Sequence, residues 1–389
     1  MSSFATDQLL DVVTRFVDEE ALPAVAAYDR EDAYPEPLVE RMCELGLFGT
    51  AIPEEHGGLG LDLVTYAKIV AEISRAWISL SGVMNTHFMA SWMLLNFGTP
   101  EQQERLLPRM ATGEIRGAFS ITEPHAGSDV QAIKVRAVRD GDDFVVDGHK
   151  KWITNGLHAG VVMLLAVTDP DAQPRHRGFT CLVVEKEPLV HEQPGLTIPP
   201  LLKKLGYLGI DSTEMHWDGF RVPADMVLGG QAAEGQGFKQ FMTALELGRV
   251  NVAARGLGLA RSAFDHAIAY ASERETFGKP IADHQAIQIK LAQMATKIRA
   301  AELLVLDAAE RKQAGERADL QAGMAKLFAT ETAEECALDA MRIYGGAGFS
   351  QDNPVERLYR DAPLLILGEG SNEIQHLIIA RRLLEARSG

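Results

Sequence analysis

The chain predicts an α+β fold: a helical region, then a region of short strands, then a bundle of long helices. Three changes of periodicity carry this reading. Apolar residues recur at helical spacing up to about residue 115. Short β-like runs between turn residues fill about 116–228, and alanine-rich helical periodicity returns from about 236. At 389 residues the chain has room for two or three domains with large cores, and we place the divisions at 1–115, 116–228 and 229–389.

In the first region Leu9, Val12, Val13, Phe16 and Val17 make one stripe of a helix over Phe4–Ala27. Pro35-Glu-Pro37 opens a second helix, which stops at Gly46. The clustered glycines of Pro53-Glu-Glu-His-Gly-Gly-Leu-Gly60 predict a loop. Leu63–Ser74 and Ile78–Asn96 are apolar enough to be buried helices, and Thr99 caps a further helix with Pro100 at its first position.

In the second region Val135–Val138, Phe144–Val146 and Trp152–Thr154 are strand candidates, with turns at Asp140-Gly141 and Asp147-Gly148. Val161–Val167, Phe179–Val184 and Met215–Trp217 extend the set toward a small antiparallel barrel or sandwich. No βαβ alternation is present, and the lone Gly58-Leu-Gly60 follows no strand, so a dinucleotide fold is not predicted. In the third region Phe238–Ser272, Gln285–Ala314 and Leu320–Arg342 are long helices, Gly345–Gly348 breaks the pattern, and Ile374–Ala386 is a last helix. Such helices pack as a bundle.

The net charge of −16 opposes general nucleic-acid affinity. Cys43, Cys181 and Cys336 show neither metal spacing nor a disulfide framework, which suits a reducing cytoplasm. The acidic start does not read as a signal peptide, and the longest apolar run, Val161–Val167, is too short to span a bilayer.

Five places could carry chemistry. Phe119–Asp129 offers two hydroxyls, Thr122 and Ser128, with free backbone amides for a flat heterocycle or a pyrophosphate; a hydrogen-bonded domain junction is equally consistent. Period-two alternation puts Trp152 and Thr154 on one strand face, where a ring beside a hydroxyl could cover a cofactor, although a core tryptophan is the commoner use. Arg274–Lys279 reads as a helix end at Gly278, where Arg274 is either a phosphate fork or a dipole-capping cation beside a plain helix–helix turn. The glycines after Arg342 allow close backbone approach to a ligand, or a plain helix cap. Glu369 stands between two glycines after an apolar run. A carboxylate in a dry pocket there would be a base, whereas a solvated acid at a helix N-terminus is the commoner outcome.

These segments occur together and in a fixed order: Pro53–Leu61, Thr122–Asp129, Lys151–Asn155, Arg274–Lys279, Tyr344–Phe349, Pro354–Ala362 and Glu369–Gln375. The whole chain thereby resembles the acyl-CoA dehydrogenase family, FAD-dependent enzymes of thioester oxidation. The resemblance implies a helical domain, a small β-barrel domain and a four-helix bundle, assembled as a homotetramer built from dimers. It implies that Phe119, Ile121, Thr122, Ser128, Trp152, Ile153 and Thr154 line the flavin. Arg274, Phe277, Gln285, Arg342, Gly345 and Gly346 are implied to reach the FAD of a neighbouring subunit, and Ser371 and Glu373 also bind the cofactor. Ser128, Glu246, Arg249, Gly370 and Arg381 fall on substrate-side positions.

Glu369 falls on the position of the catalytic base, which takes the α-proton while hydride leaves the β-carbon for the flavin. Some relatives carry the base on a bundle helix, but here that position is Gly248. Arg342 stands where many members have Gln, Leu208 and Ile210 where many have Arg and Ser, and Glu246 where many have Asp. The implied electron acceptor is an electron-transfer flavoprotein. An oxygen-using acyl-CoA oxidase or flavin monooxygenase, or a non-catalytic FAD-bound scaffold, are the alternatives on this fold. Met84, Phe88 and Trp92 are candidates for narrowing the acyl pocket, with core packing the simpler role; the expected substrates are short or branched acyl chains.

Overall fold

A computed structural model describes residues 3–388; Met1 and Ser2 of the start read above, and Gly389, lie outside the described residues. The first region is helical: α1 (Ser3–Arg15), α2 (Leu22–Glu31), α3 (Glu36–Glu44), α4 (Leu63–Ala76), α5 (Ile78–Phe97) and α6 (Pro100–Ala111). One wider π turn, Phe16–Ala21, joins α1 to α2, one residue ahead of Pro23. Proline lacks the amide for the regular ladder and its ring crowds the carbonyl four residues back, so a widened turn accommodates it. Thr99 caps α6 in a reciprocal capping box with Gln102, as the Thr-Pro start predicts. α5 is buried almost all round, which explains its unbroken apolar sequence.

The second region contains β1 (Gly117–Ser120), β2 (Arg136–Asp140), β3 (Asp143–Thr154), β4 (Val161–Val167), β5 (Phe179–Glu185), the short β6 (Glu192–Gln193) and β7 (Leu196–Thr197), and β8 (Ser212–Pro223). They form one mixed sheet in the order β1-β4-β2-β3-β8-β7-β6, with β5 also on β4. Two expectations are corrected. The strands are not all antiparallel: β1 runs parallel to β4, from Gly117 opposite Val161 to Ser120 opposite Leu164. Asp147-Gly148 is not a turn. β3 continues through it, with a register shift against β8 between Val146 and Asp147, so the Asp-Gly pair marks a bulge. β4 is buried along its whole length, as expected of a strand paired on both sides beneath helices.

The third region holds α7 (Gly237–Glu273), a two-stranded hairpin of β9 (Glu275–Thr276) and β10 (Lys279–Pro280), then α8 (Gln285–Gln313), α9 (Asp319–Tyr344), α10 (Pro354–Leu367) and α11 (Asn372–Ser388). The helix preceding the Arg274 motif ends at Glu273 rather than at Gly278. Phe277 and Gly278 both have positive φ, 52° and 78°, and form the tight hairpin turn instead. α10 is a helix that its apolar run did not disclose. α7, α8, α9 and α10 pack on one another, α11 lies on α9, and α4 and α5 close over α7. No described helix is long and apolar enough to cross a membrane.

Candidate active site

Glu369 lies in the turn between α10 and α11. Its φ is 51° and that of Gly370 is 82°, two successive left-handed residues. A non-glycine residue there is strained and needs its surroundings to hold it. Lys326 of α9, fully buried, supplies that hold: its ammonium donates to Ile366 O at 2.9 Å, Gly370 O at 3.0 Å and Asn372 Oδ1 at 2.8 Å. Three donors thus meet three acceptors around the turn. Gln375 donates a further bond to Gly370 O at 2.8 Å, and Asn372 is tied to Thr330 at 3.1 Å. Burial pulls the Lys326 pKa down to about 8, against the nearby charges of Glu369 and Glu373.

The strained turn sends the Glu369 side chain toward α5 and α7. Asn85 Nδ2 donates to Oε1, while Oε2 is buried without a hydrogen-bond partner. Space for Oε2 comes from Gly248 in α7, because a Cβ on that residue would stand 1.8 Å from it. Glycine in a helix interior costs about 1 kcal/mol relative to alanine, so its use here trades helix stability for carboxylate room. Met89 Sδ, 3.2 Å from the same Cβ position, adds an apolar wall. Burial raises the Glu369 pKa above the usual carboxylate range, opposed by the Asn85 hydrogen bond and by the charges of Arg255, Lys326 and Arg249.

Further polar groups converge near this carboxylate. Tyr66 accepts a hydrogen bond from Asn251 at 2.6 Å and stacks on Phe88 with ring centroids 3.9 Å apart. Arg255, buried, donates to Ile78 O at 3.0 Å and lies 5.0 Å from the centre of the Tyr207 ring. The Nε atoms of Arg249 and Arg255 are buried without partners. Glu246 is drawn away into an ion pair with Lys312 at 2.9 Å. Arg381 is exposed on α11, whereas its neighbour Arg382 turns inward to Asp319. Met84 and Phe88 are buried and Trp92 is half-buried.

A second group of predicted residues lies on β1, the loop after it and the end of β3. The loop after β1 is pinned by Glu123, which is buried, pairs with the buried Lys150 at 3.0 Å, and accepts from the amides of Lys134 at 2.7 Å and Val135 at 2.9 Å. Lys150 also donates to Ile121 O at 2.8 Å, and Lys151 N–H reaches Thr122 O at 2.9 Å. Breaking such a buried pair costs about 3–5 kcal/mol. Phe119 lies in β1 against Phe241, Ile121 and Thr122 are half-buried, and Ser128 is exposed.

Trp152 falls where the β3–β8 ladder slips between Lys151 and Ile153. With φ of 61° and its side chain 55% exposed, it is a bulge residue turned outward. The alternation argument for Trp152 and Thr154 therefore fails, and so does the core-tryptophan use. Ile153 is the core residue of the trio, fully buried, so a ligand contact from it must come from its backbone. Thr154 is half-buried.

The third group is distant from both. Arg274, Phe277, Gln285, Arg342, Gly345 and Gly346 are exposed at one end of the bundle. Stacking of Tyr270 on Tyr344, with centroids 4.0 Å apart, brings the ends of α7 and α9 together there. Arg274 lies about 40 Å beyond Gly248 along the rise of α7. Phe277 is 97% exposed, and nothing lies within 4 Å of a Cβ added to Gly345 or Gly346. The Arg342 guanidinium reaches Asp339 of its own helix at 3.4 Å. Ser371 and Glu373 sit at the start of α11, where the Ser371 hydroxyl lowers the Glu373 pKa.

Sequence reasoning missed Asn85, Tyr66, Tyr207, Asn251, Arg255, Lys326, and the Glu123–Lys150 pair. A polar or charged residue inside an otherwise apolar or alanine-rich helix, as with Asn85 and Lys326, was the available signal.

Comparison with known proteins agrees with this layout. The family models for the acyl-CoA dehydrogenase N-terminal, middle and C-terminal domains match residues 5–114, 118–220 and 235–384. An acyl-CoA dehydrogenase of Bacillus subtilis is 40% identical over 374 residues, covering 96% of each chain. The structure of butyryl-CoA dehydrogenase from Megasphaera elsdenii superposes with a TM-score of 0.93 at 32% identity, covering 99% of each chain. A glutaryl-CoA dehydrogenase from Mycobacterium smegmatis, solved in complex with FADH2, superposes with a TM-score of 0.89 at 27% identity, over 98% of this chain and 95% of that one.

The chain belongs to the acyl-CoA dehydrogenase family. It is accordingly an FAD-dependent oxidoreductase. The residues present fit the cofactor: an outward indole at Trp152, a pinned hydroxyl-bearing loop at 121–128 and an open glycine turn at Gly345-Gly346.

Proposed function

We propose that the protein oxidises the Cα–Cβ bond of an acyl-CoA thioester to the trans-2-enoyl-CoA, with Glu369 removing the α-proton. The observation that carries this is the buried, unpartnered Oε2 of Glu369, seated over Gly248. Asn85 occupies Oε1 and leaves Oε2 to receive the proton. Burial makes the carboxylate a stronger base, and the Asn85 hydrogen bond with the charges of Arg255, Lys326 and Arg249 acts in the opposite direction, favouring its ionised form. The Glu369 N–H has no acceptor among the described residues, so it is free to donate to the thioester oxygen and stabilise charge as the α-proton leaves. Bound FAD supplies the acceptor for the β-hydride.

Phe119, Ile121, Thr122, Ser128, Trp152, Thr154 and the backbone of Ile153 would hold FAD on this chain, with Ser371 and Glu373 toward its pyrophosphate. Arg249, Gly370 and Ser128 lie on the substrate side. The exposed group at the far end of the bundle serves the FAD of a second copy. The 40 Å rise along α7 and the bare Phe277 ring support this, and with it a dimer within a homotetramer. The domain divisions at 115 and 228, a cytoplasmic site of action and electron transfer to an electron-transfer flavoprotein complete the reading. Short or branched acyl groups suit the wall made by Phe88 stacked on Tyr66 with Met89 beside the carboxylate.

Anaerobic titration of the flavin-loaded protein with a panel of acyl-CoAs tests this. Bleaching of the flavin by short or branched thioesters is expected; no bleaching by any thioester would sink the reading. Oxygen consumption at the rate of thioester turnover would identify an oxidase instead.

A further inference from the structure

The β3–β8 pair carries a side-chain cluster that thioester oxidation does not use. The ladder sets His149 directly opposite His216 and Lys151 opposite Glu214. Glu214 and His216 are two residues apart on one strand, so their side chains share a face with His149. Both imidazoles aim Nε2 at the same carboxylate oxygen, Glu214 Oε2: His149 from 3.0 Å and His216 from 3.3 Å. The rings are steeply inclined, at 74° with centroids 4.0 Å apart, so they approach from different directions. One ligand atom from each of the three residues lies within 4.8 Å of the others.

We propose that His149, Glu214 and His216 form a binding site for a divalent transition-metal ion, Zn2+ being the best match to two imidazoles and a carboxylate. Tetrahedral zinc with ligand bonds of about 2.0–2.1 Å needs ligand atoms about 3.3 Å apart, close to the two distances observed. The site therefore needs little rearrangement. Each histidine must present the Nε2 lone pair, with its proton on Nδ1, in place of donating to the carboxylate. Lys151 holds the other carboxylate oxygen, Oε1, at 2.8 Å and keeps the group ionised, with the Glu214 pKa drawn down to about 2. Its charge limits the affinity without occupying the metal-facing oxygen. The histidine side chains are partly exposed, which leaves the remaining coordination position to water and gives the ion a path in. Paired strands make a rigid platform for the three ligands.

Calorimetric titration of chelator-stripped, flavin-loaded enzyme with zinc chloride at neutral pH tests the site. One equivalent per chain is expected that disappears in His149→Ala and in His216→Ala. The flavin spectrum and circular dichroism of the variants check that they are folded. Absence of zinc binding by the wild type, or retention of every bound equivalent by the folded double variant, would overturn the proposal and leave the cluster as an ion-pair network.

Discussion

The turn that carries Glu369 and the far end of the helical bundle are built on opposite principles. Around Glu369 the strained backbone is fixed by a buried lysine, one carboxylate oxygen is held by Asn85, and a glycine in α7 is left bare to admit the other. At the far end Phe277 is almost fully exposed, Arg274 and Arg342 are exposed, and the Gly345-Gly346 turn faces open space. The first region finds its partners within one chain, and the second, as proposed above, would be completed by a second copy. On the proposed reading, proton abstraction belongs to the single fold, whereas retention of the cofactor would depend on association of two copies.

Three variants separate these regions, in decreasing order of expected effect. Gly248→Ala places a methyl where Oε2 lies. Misplacing a reacting group by about 1 Å can cost roughly 100-fold, so kcat is expected to fall by about that factor, with Tm unchanged or higher because alanine favours the helix. A fall in Tm with kcat intact would show that the carboxylate does not need that space. Lys326→Met removes three hydrogen bonds from the turn. A loss of about tenfold in kcat, with FAD still bound, is expected. The wild-type rate should also decline as pH rises through about 8, where the ammonium loses one of its three donors, and this limb should be absent from the variant. An unchanged alkaline limb would assign it to another group. Phe277→Ala paired with Arg274→Ala should weaken FAD retention and self-association while leaving thioester-driven reduction of the remaining flavin intact; loss of reduction with full FAD occupancy would contradict the division of labour.

The smallest effect concerns stability. Because burial raises the Glu369 pKa in the folded state, the folded protein binds a proton more readily than the unfolded chain. Its contribution is favourable below the unfolded carboxylate pKa and is lost as pH rises through the folded value. Glu369→Gln removes this cost, so its Tm should exceed that of the wild type by about 1–3 °C at pH above the folded value, and the gap should close in acid. A gap that widened in acid would reverse the sign of the assigned shift.

The fold was legible where periodicity is strong. α4, α5, α7, α8 and α9 fall within a few residues of their predicted bounds, because long helices average over many positions. Errors came where glycine and proline have two uses. Asp147-Gly148 looks like a turn from local chemistry, but pairing with β8 makes it a bulge, and Gly278 looks like a helix end but belongs to a hairpin turn. Glu369 was a candidate from its glycine-flanked position, but only the ordered motifs around it raised it above a solvated acid at a helix start. Its partners were not, because Asn85, Gly248 and Lys326 lie on three different helices and only tertiary packing brings them to one carboxylate. The outward turn of Trp152 likewise depends on a register slip that no local pattern specifies.

The central claim is that Glu369 takes the α-proton. Rapid anaerobic mixing of flavin-loaded wild type and Glu369→Gln with an acyl-CoA that bleaches the wild type tests it most directly. The account predicts that the variant binds FAD and thioester, perturbing the flavin spectrum, yet is reduced at least about 1,000-fold more slowly. Reduction at the wild-type rate would contradict it and place the base elsewhere.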